Sequence, residues 1–328
     1  MCREAVYRNF EQLCALCAAE KKPLWRLILD NECALQNTSE EAVFAELDKR
    51  FRVMEESAFK ALNAPLNAER SLINGYASRH HAYTQKGSFL CGNFINRVMS
   101  LALSVSEVNA SMGRICAAPT AGSSGIIPAV LIALNEREVS SSSADGTECA
   151  AGTADAPEAA ADSQTLSAAF ALSASRKKIL CALLTASGLG AVIVKNATVS
   201  GAEGGCQAEC ASAAAMASAA AVEFAGGTVE QSMNAFSFSL MNAMGLVCDP
   251  IAGLVQIPCA QRNASQAVNA LISADMALAG MSSPVPPDEV LEAMFRTGKM
   301  LPAALKETAK GGLAATKTAK SLAKKLLG

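Results

Sequence analysis

Three short segments in the second half of the chain set a cysteine beside glycine or proline, where a helix must end or the backbone must turn. They are Gly201-Ala202-Glu203-Gly204-Gly205-Cys206-Gln207, Gly245-Leu246-Val247-Cys248-Asp249-Pro250 and Val255-Gln256-Ile257-Pro258-Cys259. Cysteines at element ends can converge on one point, and helix termini leave free N–H groups that stabilise thiolates and cluster sulfides. Two other readings stand beside cluster ligation: thiols simply buried in turns, and a zinc site. The gaps match none of the common ferredoxin runs, and three thiolates without a nearby His or fourth Cys make an unusual structural zinc shell.

A second candidate is the stretch Pro119 to Gly125, with two glycines and three hydroxyls just ahead of the apolar run Ile126 to Leu134. Its N–H groups could meet a carboxylate, which makes Thr120, Gly122, Ser123 and Ser124 candidate substrate-binding residues. The alternative is a plain turn with Pro128 in the first helical turn. For a proton acceptor, Lys195 and Glu203 are the candidates beside the cysteine motifs, with Glu209 a further one. An ion pair or a capped helix end is the competing role for each. His80 and His81 are the only histidines, and a surface role competes with catalysis for both.

Helices must position these groups. Thr38 and Glu41 have capping-box spacing ahead of Val43, Phe44, Leu47, Phe51 and Met54, which repeat at helical intervals. Gly226-Gly227 can end one helix, and Thr228 with Gln231 can begin the next. Asp288 similarly precedes Val290, Leu291, Met294 and Phe295. Strand signals are poor, since aromatic residues make up 5% of the chain and alanine dominates from Ala208 to Ala225. The fold class is therefore mainly α: a compact multi-helix catalytic domain over residues 1–328. Within it we expect a helical N-terminal part to about residue 65, a flexible low-complexity insertion at about 139–165 and a cluster-binding part at about 195–316. The lysine-rich tail reads as a solvated helix.

A formal net charge of −2 gives no field that argues for nucleic acid or an anionic membrane. The apolar stretch Ile179 to Val194 contains two glycines and falls short of the roughly 20 residues that cross a bilayer. No secretory signal follows Met1, and twelve dispersed cysteines in a large chain suit a reducing cytoplasm. Cys14 and Cys17 resemble half a zinc knuckle without its second pair, so core packing is their expected role. Cys149 falls inside the insertion.

As strings, several segments resemble the α subunit of the bacterial iron-sulfur L-serine dehydratases. They are Glu107-Val108-Asn109-Ala110-Ser111-Met112-Gly113, Ala118-Pro119-Thr120-Ala121-Gly122-Ser123-Ser124-Gly125-Ile126-Ile127-Pro128, the block from Lys195 to Gly280, and Gly311-Gly312-Leu313-Ala314-Ala315-Thr316. The resemblance implies a 4Fe-4S cluster on Cys206, Cys248 and Cys259, without pyridoxal phosphate, and one iron left open to the hydroxyl and carboxylate of L-serine. It implies an elimination: a base removes the α proton, hydroxide leaves to the Lewis-acidic iron, and the aminoacrylate formed ends as pyruvate and ammonia. Oxygen sensitivity follows from such a cluster.

Relatives usually carry an aliphatic residue at Cys210, which stays outside the ligand set with Cys2, Cys33, Cys91, Cys116 and Cys181. Leu72-Ile73-Asn74-Gly75-Tyr76 stands where relatives tend to show a threonine followed by two glycines. The family's Ser-Ser-His-Thr segment, found in the β portion, is absent from this chain, so a separate β subunit is the expected partner. The alternatives are a 4Fe-4S L-cysteine desulfidase of the same superfamily and a non-enzymatic iron-sulfur scaffold or sensor.

Overall fold

The computed structural model describes residues 5–87, 89–144 and 173–328. Among them are thirteen α-helices and no strand, so the protein is mainly helical as its composition requires. The first five are α1 (Phe10–Glu20), α2 (Leu24–Gln36), α3 (Glu40–Lys60), α4 (Tyr76–Thr84) and α5 (Gly92–Ala110). Then come α6 (Ile126–Ala144), α7 (Ala174–Asn196), the single turn α8 (Gly201–Gly204), α9 (Ser212–Phe224) and α10 (Val229–Asn242). The last are α11 (Cys259–Leu278), α12 (Pro287–Met300) and α13 (Lys317–Leu327). Because α6 runs to Ala144, the start of the expected insertion is helical; residues 145–172, with Cys149, lie outside the described residues, as does Cys2.

The molecule is built around α9. Every residue of this helix except Glu223 is buried, and α6, α7, α10 and α11 pack around it. Its run of Ala213, Ala214, Ala215, Ala217, Ala219, Ala220 and Ala221 lets four neighbours approach one axis closely without leaving voids. Helix α7 is long and apolar enough to cross a membrane by length and composition, because it extends past the apolar stretch into a polar first turn. Burial decides its role: 72% of its apolar window is covered by protein.

Local capping follows the sequence in part. Thr228 and Gln231 form the reciprocal cap of α10, with Gln231 N donating to Thr228 Oγ1 at 3.1 Å and Thr228 N to Gln231 Oε1 at 2.9 Å. At α3 the cap is Ser39, whose hydroxyl accepts from Ala42 N, rather than Thr38. The Thr38 amide instead closes the end of α2 by donating to Cys33 O, past Asn37 in a left-handed conformation. Asp288 lies inside the first turn of α12, and its carboxylate reaches across to cap α1, accepting from Phe10 N and Glu11 N at 3.0 and 2.9 Å. Glu223 does the same for α2, which has no side-chain cap of its own, by accepting from Trp25 N.

Candidate active site

The regular helices stop where the cysteines begin. After α7, the turn α8 ends at Gly205 with φ +78°, a conformation L side chains rarely adopt, and Cys206 then opens a single π-helical turn, Gln207–Ala211, that leads into α9. Gln207 clamps this irregular stretch. Its amide nitrogen donates to Gly204 O and Met294 O, and its side-chain oxygen accepts from Gly245 N. Cys248 sits in the extended link after α10, laced to the C-terminal segment by Cys248 N to Leu305 O and Glu307 N to Cys248 O. Cys259 is the first residue of α11.

These three positions face one another. Cys206 and Cys248 are buried and Cys259 half-buried; the charge of Cys206 acts on both Cys248 and Cys259, and that of Cys259 on Cys248. They are unequal. The Cys210 thiol and the Arg262 guanidinium hold Cys206 below the ordinary thiol range against the effect of burial. Burial, reinforced by Glu209 and Cys206, pushes Cys248 well above that range and Cys259 up to about 12. Arg262 is anchored by donating to Val247 O at 2.6 Å and Asp249 Oδ1 at 2.9 Å. The other Asp249 oxygen accepts from Leu313 N at 2.8 Å, which is why the Gly311-Gly312-Leu313 motif matters: a Cβ on Gly312 would fall 2.3 Å from it.

The loop Thr120–Gly125 closes the site from the other side. Asn263, one turn into α11, donates to Gly122 O and Cys259 O and accepts from Gly125 N, tying the loop to the third cysteine. Ser123 and Ser124 are buried, and their hydroxyls turn back to Ala118 O and Ala121 O to fold the loop itself. Thr120 Oγ1 reaches outward and donates to Glu209 Oε1 at 2.9 Å. Among the described residues the amides of Ala121 and Gly122 have no acceptor.

Glu209 joins the two halves. It projects from the π-helical turn, takes the Thr120 hydroxyl on one oxygen and faces Cys248 Sγ with the other at 3.8 Å. Burial raises its carboxyl above the ordinary range, and the Thr120 hydrogen bond opposes that rise. Glycines on both sides make room for it. A Cβ on Gly122 would lie 2.9 Å from Oε1, and one on Gly201 would lie 2.5 Å from Oε2 and 3.0 Å from Cys248 Sγ.

The other proton-acceptor candidates lie elsewhere. Lys195 is exposed and borders a hollow of about 500 Å³ with Arg50 and Cys116 to Pro119, whose walls include neither Glu209 nor any of the three cysteines. Glu203 is exposed on α8. His80 hydrogen-bonds Ser100 and borders a shallow hollow between α4, α5 and α11, while His81 Nδ1 is buried without a partner among the described residues. Of the groups weighed from sequence, Glu209 is the one the fold brings against the thiols and the loop. Its neighbourhood with Thr120 spans 89 residues and leaves no trace in local sequence pattern.

The donor set fits an iron-sulfur cluster. Three soft thiols lie at backbone breaks, a cation and helix α11's first turn adjoin them, and Gly201 lets Glu209 and Cys248 approach where a Cβ would clash. Among the described residues no three His, Cys, Asp or Glu groups converge tightly enough to grip a single metal ion, so the fit rests on donor chemistry rather than on a preformed mononuclear shell.

The architecture is thus an all-helical enzyme scaffold with three thiols brought toward one another at the ends of its helices. The family model of the serine dehydratase alpha chain matches residues 19–314, and the chain belongs to that family. It is 45% identical over 304 residues to the L-serine dehydratase alpha chain of Peptoniphilus asaccharolyticus, covering 93% of this chain and 92% of that one. It is 40% identical over 323 residues to the probable L-serine dehydratase alpha chain of Bacillus subtilis, covering 98% and 96%. Against the L-serine dehydratase TdcG of Escherichia coli, identity is 34% over 316 residues, covering 94% of this chain but 61% of that longer one.

Proposed function

We propose that this chain is the α subunit of an iron-sulfur L-serine dehydratase, an ammonia-lyase that converts L-serine to pyruvate and ammonia. The observation that carries the reading is the approach of Cys206, Cys248 and Cys259 to Glu209 and the Thr120–Gly125 loop, packed closely past Gly122 and Gly201. The three cysteines would hold a 4Fe-4S cluster, which when bound supplies a Lewis acid for departure of the hydroxyl group. Arg262 and Cys210 support Cys206 as a thiolate. The free amides of Ala121 and Gly122 are suited to a substrate carboxylate, with Thr120, Ser123 and Ser124 shaping the loop that presents them.

The exposure of Lys195 and Glu203 favours a proton acceptor from outside this chain, and the naming of the relatives as alpha chains supports a β partner that brings it. That the Escherichia coli relative extends well beyond the matched region agrees with a second portion fused in some chains and separate in others. A cluster with a free coordination site also calls for a reducing, cytoplasmic setting.

The test is anaerobic reconstitution with iron counting, followed by a serine-to-pyruvate assay with and without the β partner. About four irons per chain and pyruvate formation that depends on the partner are expected. Sulfide release from L-cysteine that outpaces pyruvate from serine would replace the proposal with a desulfidase, and an iron-loaded complex without either activity would leave a scaffold or sensor.

A further inference from the structure

A serine zwitterion offers three handles: carboxylate, hydroxyl and ammonium. The proposed site would account for the first two, through the Ala121 and Gly122 amides and the Lewis acid that Cys206, Cys248 and Cys259 would hold, and this inference rests on that reading. Burying an ammonium requires an anion or several acceptors, since an unpaired charge out of water costs several kcal/mol.

Glu209 is the carboxylate set between the loop and the cysteines. Its Oε1 is occupied by Thr120, whereas the neighbour of Oε2 is Cys248 Sγ at 3.8 Å. A Cys248 sulfur bonded to iron has no proton to donate, so Oε2 would then face a thiolate without any hydrogen-bond donor. Gly201 lets Oε2 lie close against the backbone, since a Cβ there would sit 2.5 Å from it, and Glu209 stays partly exposed. A small cation beside Oε2 would relieve the repulsion between carboxylate and thiolate and complete the third contact. The fixed bases nearby do not fill that role: Arg262 is committed to Val247 O and Asp249.

We propose that Glu209 is the specificity-determining residue that receives the α-ammonium of the amino-acid substrate through Oε2, with Thr120 holding the carboxylate in place. The site then selects 2-amino-3-hydroxy acids over hydroxy acids that lack nitrogen. In this role Glu209 acts on binding and orientation, and proton abstraction falls to another group.

The experiment uses the cluster-loaded chain with its β partner, and compares wild type with Glu209→Gln, nearly isosteric and still able to accept from Thr120, and with Glu209→Asp, which restores the charge. Two quantities are read: kcat and KM for L-serine, and the dissociation constant of 3-hydroxypropionate, which is serine without its amino group, from the perturbation of the cluster absorbance. Glu209→Gln is expected to raise KM for serine about 30-fold or more, as loss of a buried charge partner does, while 3-hydroxypropionate binds within about two-fold of wild type. Glu209→Asp should recover part of the KM. A fall in kcat at unchanged KM would overturn the proposal by making Glu209 the base. Equal weakening of both ligands would overturn it by making Glu209 a scaffold for the loop. Failure of the wild-type complex itself to take up iron or convert serine would sink the dehydratase reading, and this inference with it, before any variant is compared.

Discussion

Residues 201–224 form one continuous segment with two unlike halves. From Gly201 to Ala211 the backbone makes a single helical turn, a positive-φ glycine and a π-helical turn; from Ser212 to Phe224 it is regular helix buried on all sides. The first half spends its hydrogen-bonding capacity on tertiary partners such as Leu246 O, Met294 O and the Thr120 hydroxyl, and aims Cys206 and Glu209 at other loops. The second half reaches out only through Glu223, at its far end. Its small apolar side chains only let α6, α7, α10 and α11 close in. Chemistry sits where the helical ladder is broken, because helix ends can bring groups from distant segments together, and the unbroken helix holds those ends in register.

The comparison breaks most sharply at Cys206. Replacing it with alanine should remove the cluster and lower serine turnover to background, while equilibrium unfolding of the two cluster-free proteins differs by no more than about 1 kcal/mol, since the lost buried volume is small. Cys210→Ala, four residues on, should keep the cluster. Iron content and the brown absorbance of anaerobically loaded protein decide both. A folded Cys206→Ala variant with full iron content would show that the irregular half does not hold the metal.

How much of this was readable beforehand depends on whether the information is local. Cysteine beside glycine or proline marks a backbone break within a few residues, so all three thiol segments could be picked out, and the Thr228–Gln231 cap is likewise written in four residues. The long alanine run announces a buried helix. Glu209 falls in a run that reads as ordinary helix, and what distinguishes it is a threonine 89 residues away and a π-helical turn that no local pattern signals. Lys195 and Glu203 attract attention by adjacency to the cysteine motifs, yet adjacency along the chain does not survive the turns that follow them. Asp288 has the spacing to serve its own helix, but its carboxylate caps α1, 278 residues earlier, since the packing of α12 against α1 offers it two free amides. The 4Fe-4S assignment and the β partner came from the family resemblance, and no periodicity contains them.

The regular half should fail in the opposite way. Ala217 is fully buried in α9, so Ala217→Leu forces three extra carbons into a close-packed helix junction and should cost about 1–3 kcal/mol. None of the three thiols lies in α9, so kcat per iron-loaded molecule should stay near wild type. Urea unfolding together with turnover normalised to cluster content separates the two effects. A large loss of kcat at full iron content would mean that α9 transmits packing strain into the π-helical turn, and the division between the halves would fall.

The smallest effect is expected at the far end of the same helix. Glu223 is the one residue of α9 that is only half-buried, and it holds two neighbours together, accepting from Thr185 Oγ1 at 2.9 Å and from Trp25 N at 3.4 Å. Burial raises its carboxyl above the ordinary value of 4.5, with the Thr185 and Trp25 hydrogen bonds pulling the other way. A folded-state pKa above the unfolded one means that the fold prefers the protonated form. The stabilisation is therefore complete below about 4.5 and is lost as pH rises from there through the raised folded value. Both donors share Oε2, so the side-chain oxygen of Glu223→Gln can accept from both, and the variant has no proton to lose. Relative to wild type it should gain stability as pH climbs from about 4.5 toward neutrality and then hold a constant advantage, under about 1 kcal/mol, at higher pH. Unfolding midpoints across that range test it. A difference between the two proteins that stays flat with pH would show that Glu223 serves α2 only as a hydrogen-bond acceptor, and that this end of the helix carries no electrostatic cost.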